Sequence, residues 1–106
     1  TLANDPDKLQ WEAFMNEYYP NGDKTHIMTV FGYAAAQLLV EVLQQCGDDL
    51  SRENVMKQAA NLNGVSPKML LPGMVVNTSA DDYVVLQNMQ MMRFDGKGWK
   101  LFGDLL

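Results

Sequence analysis

Few residues in this chain have the chemistry for a reactive site: a lone His26, a lone Cys46, adjacent carboxylates at Asp48-Asp49 and Asp81-Asp82, and a cluster of thioethers at Met89, Met91 and Met92. Neighbouring carboxylates can act as general acid and base when their surroundings split their pKa values. Both pairs stand in turn-like sequence, where Asp satisfies nearby backbone and keeps the chain soluble, so catalysis is not expected from them. The thioethers are soft ligands of the kind that hold copper(I). On a strand, though, Met89 and Met91 share one face and Met92 takes the other, so three sulfurs cannot meet at one ion without a bulge or a second chain. Unbranched Met also fills irregular core space, and that is the reading adopted: no metal site is expected. Cys46 alone excludes an internal disulfide and a cysteine metal cluster. There is no HExxH, no glycine-rich phosphate loop and no nucleophile-base pair recognisable from spacing. The sequence therefore does not read as an enzyme, and it implies no cofactor.

The elements that must position these residues belong to one domain or a piece of one. A chain of 106 residues hides roughly 60 to 70% of its unfolded surface on folding. Its 47% apolar and 20% charged content is that of a globular protein rather than a disordered one. Net charge is -5, and the eight basic residues are scattered without a stripe that could neutralise a phosphate backbone, so nucleic acid is not an expected partner. The longest strongly apolar stretch, Ala34 to Leu43, is interrupted by Gln37 and Glu41 and is too short to span a bilayer. No leader of the charged, apolar, small-residue type is read at Thr1, which suits either a cytosolic chain or a processed or truncated product.

Asp5-Pro6 predicts an N-cap followed by proline at the first helical position. Leu9, Trp11, Phe14, Met15 and Tyr18 then recur at helical spacing, so a first helix is expected over about 6 to 19. The turn cluster Pro20-Asn21-Gly22-Asp23 ends it. In "THIMTVFGYAAAQLLVEVLQQCG", Ile27, Val30, Phe31, Ala34, Ala35, Leu38, Leu39, Val42 and Cys46 trace a broad apolar stripe. Asp23 or Thr25 is the expected cap and Gly47 the C-cap glycine. A third helix starts at the N-cap Ser51, gains from Glu53 in its first turn, buries Val55, Met56, Ala59 and Leu62, and stops near Asn63-Gly64. "GMVVNTS" then predicts a short strand. Asp95 to Gly98 predict a reversal between strands near 86 to 94 and 98 to 103.

Three helices followed by about three strands is an informative order. The broad stripe of the second helix needs a sheet or several helices to cover it, and no strand precedes it. Three strands alone would also leave open edges. The chain therefore reads as part of a larger α/β protein.

Four stretches carry a resemblance: "WEAFMNEYYPNGD", "TVFGYAAAQLLVEVLQQCGDDLSRENVMKQAANL", "LLPGMVVNTSADDY" and "MQMMRFDGKGWKLFGDLL". In order and spacing they resemble the C-terminal part of type I periplasmic solute-binding proteins, the branched-chain amino-acid-binding family of ABC importers. The resemblance implies a C-terminal fragment of a two-lobed fold. About 1–83 would belong to one lobe, and about 84–106 would hold the last crossover and the hairpin of the other. It implies a periplasmic protein that binds a small solute, either an amino acid or an aromatic or amide compound, and docks on an ABC permease. It also makes the methionine-rich strand a structural element of the second lobe or hinge.

The same resemblance implies which residues touch solute. It sets the start of the second helix near the cleft, with Met28, five before Tyr33, as the first candidate, His26 beside it as the second, and Phe31 as the third. His26 equally fits a capping or solvated residue. Met28 and Phe31 fit core positions, and Tyr33 fits packing or a buried hydroxyl hydrogen bond. The hydroxyl donors and the acidic residue that hold a solute's carboxylate and amine in such proteins precede this stretch and have no counterpart here. Two other readings use the same residues. One is a self-contained interaction domain that offers a hairpin edge to a partner, or an orphaned piece that forms a homodimer. The other is a ligand-sensing receptor domain of the same fold.

Overall fold

A computed structural model describes residues 4–106; the start at Thr1, where no leader is read, lies outside the described residues. The chain forms α1 (Pro6–Tyr18), α2 (Ile27–Cys46), α3 (Arg52–Ala59) and a hairpin of β1 (Met91–Phe94) and β2 (Trp99–Phe102). This is the expected α/β order of three helices followed by an antiparallel hairpin.

Local capping explains the helix starts. The Asp5 carboxylate accepts from the N–H groups of Asp7 and Lys8 at 2.9 and 3.2 Å, with Pro6 in the first turn. Ser51 caps α3 by accepting from Asn54 N–H at 3.3 Å. The cap of α2 corrects the sequence reading: it is His26, whose Nδ1 accepts from Met28 N–H at 3.1 Å. Asp23 turns the chain just before, accepting from the backbone N–H and hydroxyl of Thr25 at 2.8 and 2.6 Å. Those bonds hold its carboxyl below the usual carboxylate value. At the other end of α2, Gly47 adopts φ +60°, as a C-terminal glycine should.

α3 ends at Ala59, earlier than the Asn63-Gly64 signal, because a distant hydroxyl intervenes. Thr78 Oγ1 donates to Ala59 O at 2.7 Å and accepts from Leu62 N–H at 2.9 Å. The "GMVVNTS" segment does not become a strand. Its Val76 exchanges two hydrogen bonds with Val65, at 2.7 and 3.1 Å, and the pairing stops there. A strand needs a ladder of neighbours, and the described residues offer Val76 a single rung.

The hairpin pairs Met91 with Phe102 through to Phe94 with Trp99. It is shorter than predicted because the ladder is interrupted. Continued register would set Met89 opposite Asp104, yet Met89 exchanges backbone bonds with Leu106, so the second strand absorbs two extra residues. Gly103, at φ +71°, makes that bulge, and Gln90 Nε2 donates to the exposed carbonyls of Phe102 and Gly103. Every residue of both strands is exposed.

The core is Val42, Cys46, Leu62 and Val76, with Leu38, Val55, Ala59, Val65 and Leu70 against it. α1 buries Trp11 and Met15 and touches α2 through Phe14 and Tyr33, whose ring centroids lie 5.1 Å apart. The Trp11 indole N–H is buried without a hydrogen-bond partner.

The molecule is open rather than compact. Its radius of gyration is 16.0 Å, against about 13 Å for a compact domain of this length. Its accessible surface is 8056 Å², against about 5,900 Å² for a compact monomer of its mass, an excess of about 2,100 Å². α2 contributes to it, with Ile27, Met28, Phe31, Leu39, Val40 and Leu43 all exposed. The helix has 20 residues and is long and apolar enough, by length and composition only, to cross a membrane. The apolar stretch read from the sequence, Ala34 to Leu43 with Gln37 and Glu41 inside it, is the central part of this longer helix.

Candidate functional site

The start of α2 is built by the turn that precedes it. Thr29 Oγ1 donates to the carbonyls of Asp23 and His26 at 3.0 and 2.7 Å, and Thr29 N–H reaches His26 O at 3.1 Å. Lys24 Nζ reaches Asn16 Oδ1, tying the turn to α1. Because His26 Nδ1 accepts a hydrogen bond, the neutral ring carries its proton on Nε2, which leaves an N–H donor at an exposed helix N-terminus. Met28 is 58% exposed and Phe31 60%, so both present their side chains to solvent.

An apolar groove of about 410 Å³ runs beside this helix start. Ile27, Val30, Phe31, Ala34, Ala35 and Leu38 of α2 form one wall; Pro67, Met69, Leu70, Val76, Val85 and Leu86 form the other. Phe31 belongs to the groove, whereas His26 and Met28 stand outside its lining. The three candidates therefore share one end of one helix but not one pocket.

The second wall is held by contacts that sequence spacing does not reveal. Lys68 N–H donates to Gln37 Oε1 of α2 at 2.9 Å, and its ammonium lies 3.1 Å from Asp7 Oδ1 of α1. Between this clamp and the groove, Met69 adopts φ +72°, a region that costs a side-chain-bearing residue about 1–2 kcal/mol. Reading the residues missed this wall; the run "KMLL" between Pro67 and Pro72 was the available signal.

Its lining is almost wholly apolar and holds no charged side chain, so the groove offers shape and apolar contact. It has no means to activate a nucleophile or move a proton. Among the described residues no group of three or more His, Cys, Asp or Glu could hold a metal ion. Met91 and Met92, consecutive in β1, project to opposite faces of the hairpin.

The fold and this helix-end arrangement define a class: a mixed α/β piece with a broad apolar helix, three helices before an antiparallel hairpin, and an open groove at the start of the longest helix. The chain matches the family described as periplasmic binding protein over residues 1–99, and it belongs to that family. No curated protein and no solved structure matches it. Family membership supports a solute-binding role outside the cytoplasm.

Proposed function

We propose that this chain is part of the solute-binding component of an ABC importer, periplasmic in location, taking up an amino acid or a related aromatic or amide compound. The observation that carries the reading is the family match over residues 1–99. On this reading residues from about 1 to 83 form part of one lobe, and about 84 to 106 supply the last crossover and hairpin of the other. Function in the complete protein is closure of the two lobes around the solute, a hinge motion without a covalent step. A permease then takes delivery.

Met28, His26 and Phe31 contact the solute from the α2 end of the cleft. Their exposure leaves them free to do so, and the Nε2–H of His26 is a donor suited to an anionic or carbonyl group. The bare flank of α2 and the unpartnered Trp11 indole fit a chain whose remaining cover comes from other strands of the same protein.

The test has two arms. Calorimetric titration of the isolated chain with amino acids, amides and aromatic acids is expected to show weak binding or none, because it holds one wall of the site; micromolar affinity contradicts the reading. A thermal-shift screen of the two-lobed protein that carries this segment is expected to find a stabilising solute, worth about 2.7 kcal/mol at a hundred times its Kd. No stabilisation by any of those classes sinks it.

A further inference from the structure

Between the helical part and the hairpin the chain runs from Tyr83 to Gln87, and one carboxylate holds it at the start. Asp82 closes the preceding turn by exchanging backbone bonds with Ser79, at 2.9 and 3.3 Å. Its side chain then reaches forward. Oδ1 accepts from Val84 N–H at 2.9 Å, and Oδ2 accepts from Gln87 Nε2 at 2.6 Å. The same Gln87 amide donates to Val84 O at 3.3 Å. Val84 is thus held through both its N–H and its carbonyl.

We infer that Asp82 is a positioning residue: with Gln87 it pins the path of the crossover, and through it the resting orientation of the hairpin relative to the helices. The inference rests on the lobe division proposed above, in which this segment links the two lobes. Tyr83 to Gln87 are all exposed and belong to no helix or strand, so no ladder or core fixes their backbone. Bonds to a charged acceptor are the stronger kind. Made over two and five residues, they also close short loops at little cost in chain entropy. Beyond the pin the hairpin takes over, because Met89 exchanges backbone bonds with Leu106 and Asn88 Nδ2 donates to Leu106 O at 3.4 Å. The crossover is therefore fastened at both ends, and bending concentrates at the link from Gln87 to Asn88.

The pinned residues also shape the groove. Val85 and Leu86, enclosed between Val84 and Gln87, line it along with Ile27, Val30 and Phe31 of α2. Asp82 therefore sets two things at once: the angle at which the chain leaves for the hairpin, and the placement of the wall beside the start of α2.

The test uses the two-lobed protein that carries this segment, spin-labelled at Glu53→Cys in α3 and Lys97→Cys in the hairpin turn. Both positions are exposed, whereas Cys46 is buried. Double electron-electron resonance without solute is expected to give a narrow distance distribution in the parent. Gln87→Glu, which sets two carboxylates against each other, is expected to broaden it about twofold or more. Asp82→Asn combined with Gln87→Glu reverses donor and acceptor: the Asn amide donates to the new carboxylate, and its carbonyl still accepts from Val84 N–H. This reversed pair is expected to restore the narrow distribution. Hydrogen exchange at the Val84 amide should quicken about tenfold in Asp82→Ala and hold in the reversed pair. Asp82 and Gln87 are exposed, so neither change removes core packing. A distribution unchanged by Gln87→Glu overturns the inference. So does a reversed pair as broad as Gln87→Glu, or Val84 exchange indifferent to Asp82→Ala. No solute enters these measurements, so a failed solute screen and a failed pin are told apart.

Discussion

Replacing Thr78 by Val tests how the end of α3 is fixed to the core. The hydroxyl donates to Ala59 O at 2.7 Å and accepts from Leu62 N–H at 2.9 Å, while the Thr78 backbone N–H separately donates to Leu62 O at 2.9 Å. Valine keeps the shape, the β-branch and the backbone bond, so the change isolates the hydroxyl. It leaves a carbonyl and an N–H without partners beside Leu62, which is 5% exposed. Each lost bond removes about 1 kcal/mol net, and the orphaned groups raise the total to about 2–3 kcal/mol. For a domain of this size the urea midpoint then falls by about 1–2 M. Urea denaturation followed by circular dichroism measures it. Thr78→Ser, which retains both bonds and loses one methyl, should cost no more than about 1 kcal/mol. Hydrogen exchange at the Leu62 amide should accelerate in the Val variant and hold in the Ser variant. A Val variant within about 0.5 kcal/mol of the parent, or a Ser variant as unstable as Val, refutes the reasoning.

Two further outcomes are expected. Asp95 is held below the ordinary carboxylate value of 3.8, chiefly by Lys100 at 2.7 Å and then by the N–H groups of Lys97 and Gly98 at 3.0 and 2.9 Å. A depressed folded pKa means that its contribution to the hairpin is complete above that ordinary value and fades as pH falls through the lowered one. The Lys97 and Gly98 amide resonances should report this loosening in acid, and Asp95→Asn should flatten the response. Gly47→Ala should cost about 1–3 kcal/mol of stability. The position has φ +60° and nothing within 4 Å of the added carbon, so the cost is conformational rather than steric. A thermal melt unchanged from the parent would show that the α2 terminus tolerates another backbone geometry.

The parts of the fold legible in the sequence are those decided within a few residues. Asp5-Pro6, Ser51 and Gly47 each stand beside the helix end they control, and the structure uses all three. What was not legible depends on partners far along the chain. The end of α3 was unreadable from its own residues because Thr78 sets it from across the fold. The positive φ of Met69 is unreadable for the same reason, since the Lys68 contacts to Gln37 and Asp7 hold the loop on which it sits. Asp23, Thr25 and His26 are all chemically able to cap a helix, and their spacing does not choose among them. The choice falls on His26 because the Asp23 carboxylate is already engaged by Thr25. In "GMVVNTS" the β character was real, but a strand is a property of its neighbours, and Val76 finds one rung.

The candidate site shows why this matters for function. His26 uses Nδ1 to cap the helix, so what it can offer a solute is one N–H, and Met28 and Phe31 offer thioether and ring. That set supplies apolar contact and a single donor. It cannot satisfy both a carboxylate and an amine, each of which needs several hydrogen bonds or an opposite charge when buried. The groove beside it has no polar wall to make up the difference. An amino acid could therefore be held tightly at this helix end only if further donors and a carboxylate approached from another surface, which is what closure of two lobes accomplishes.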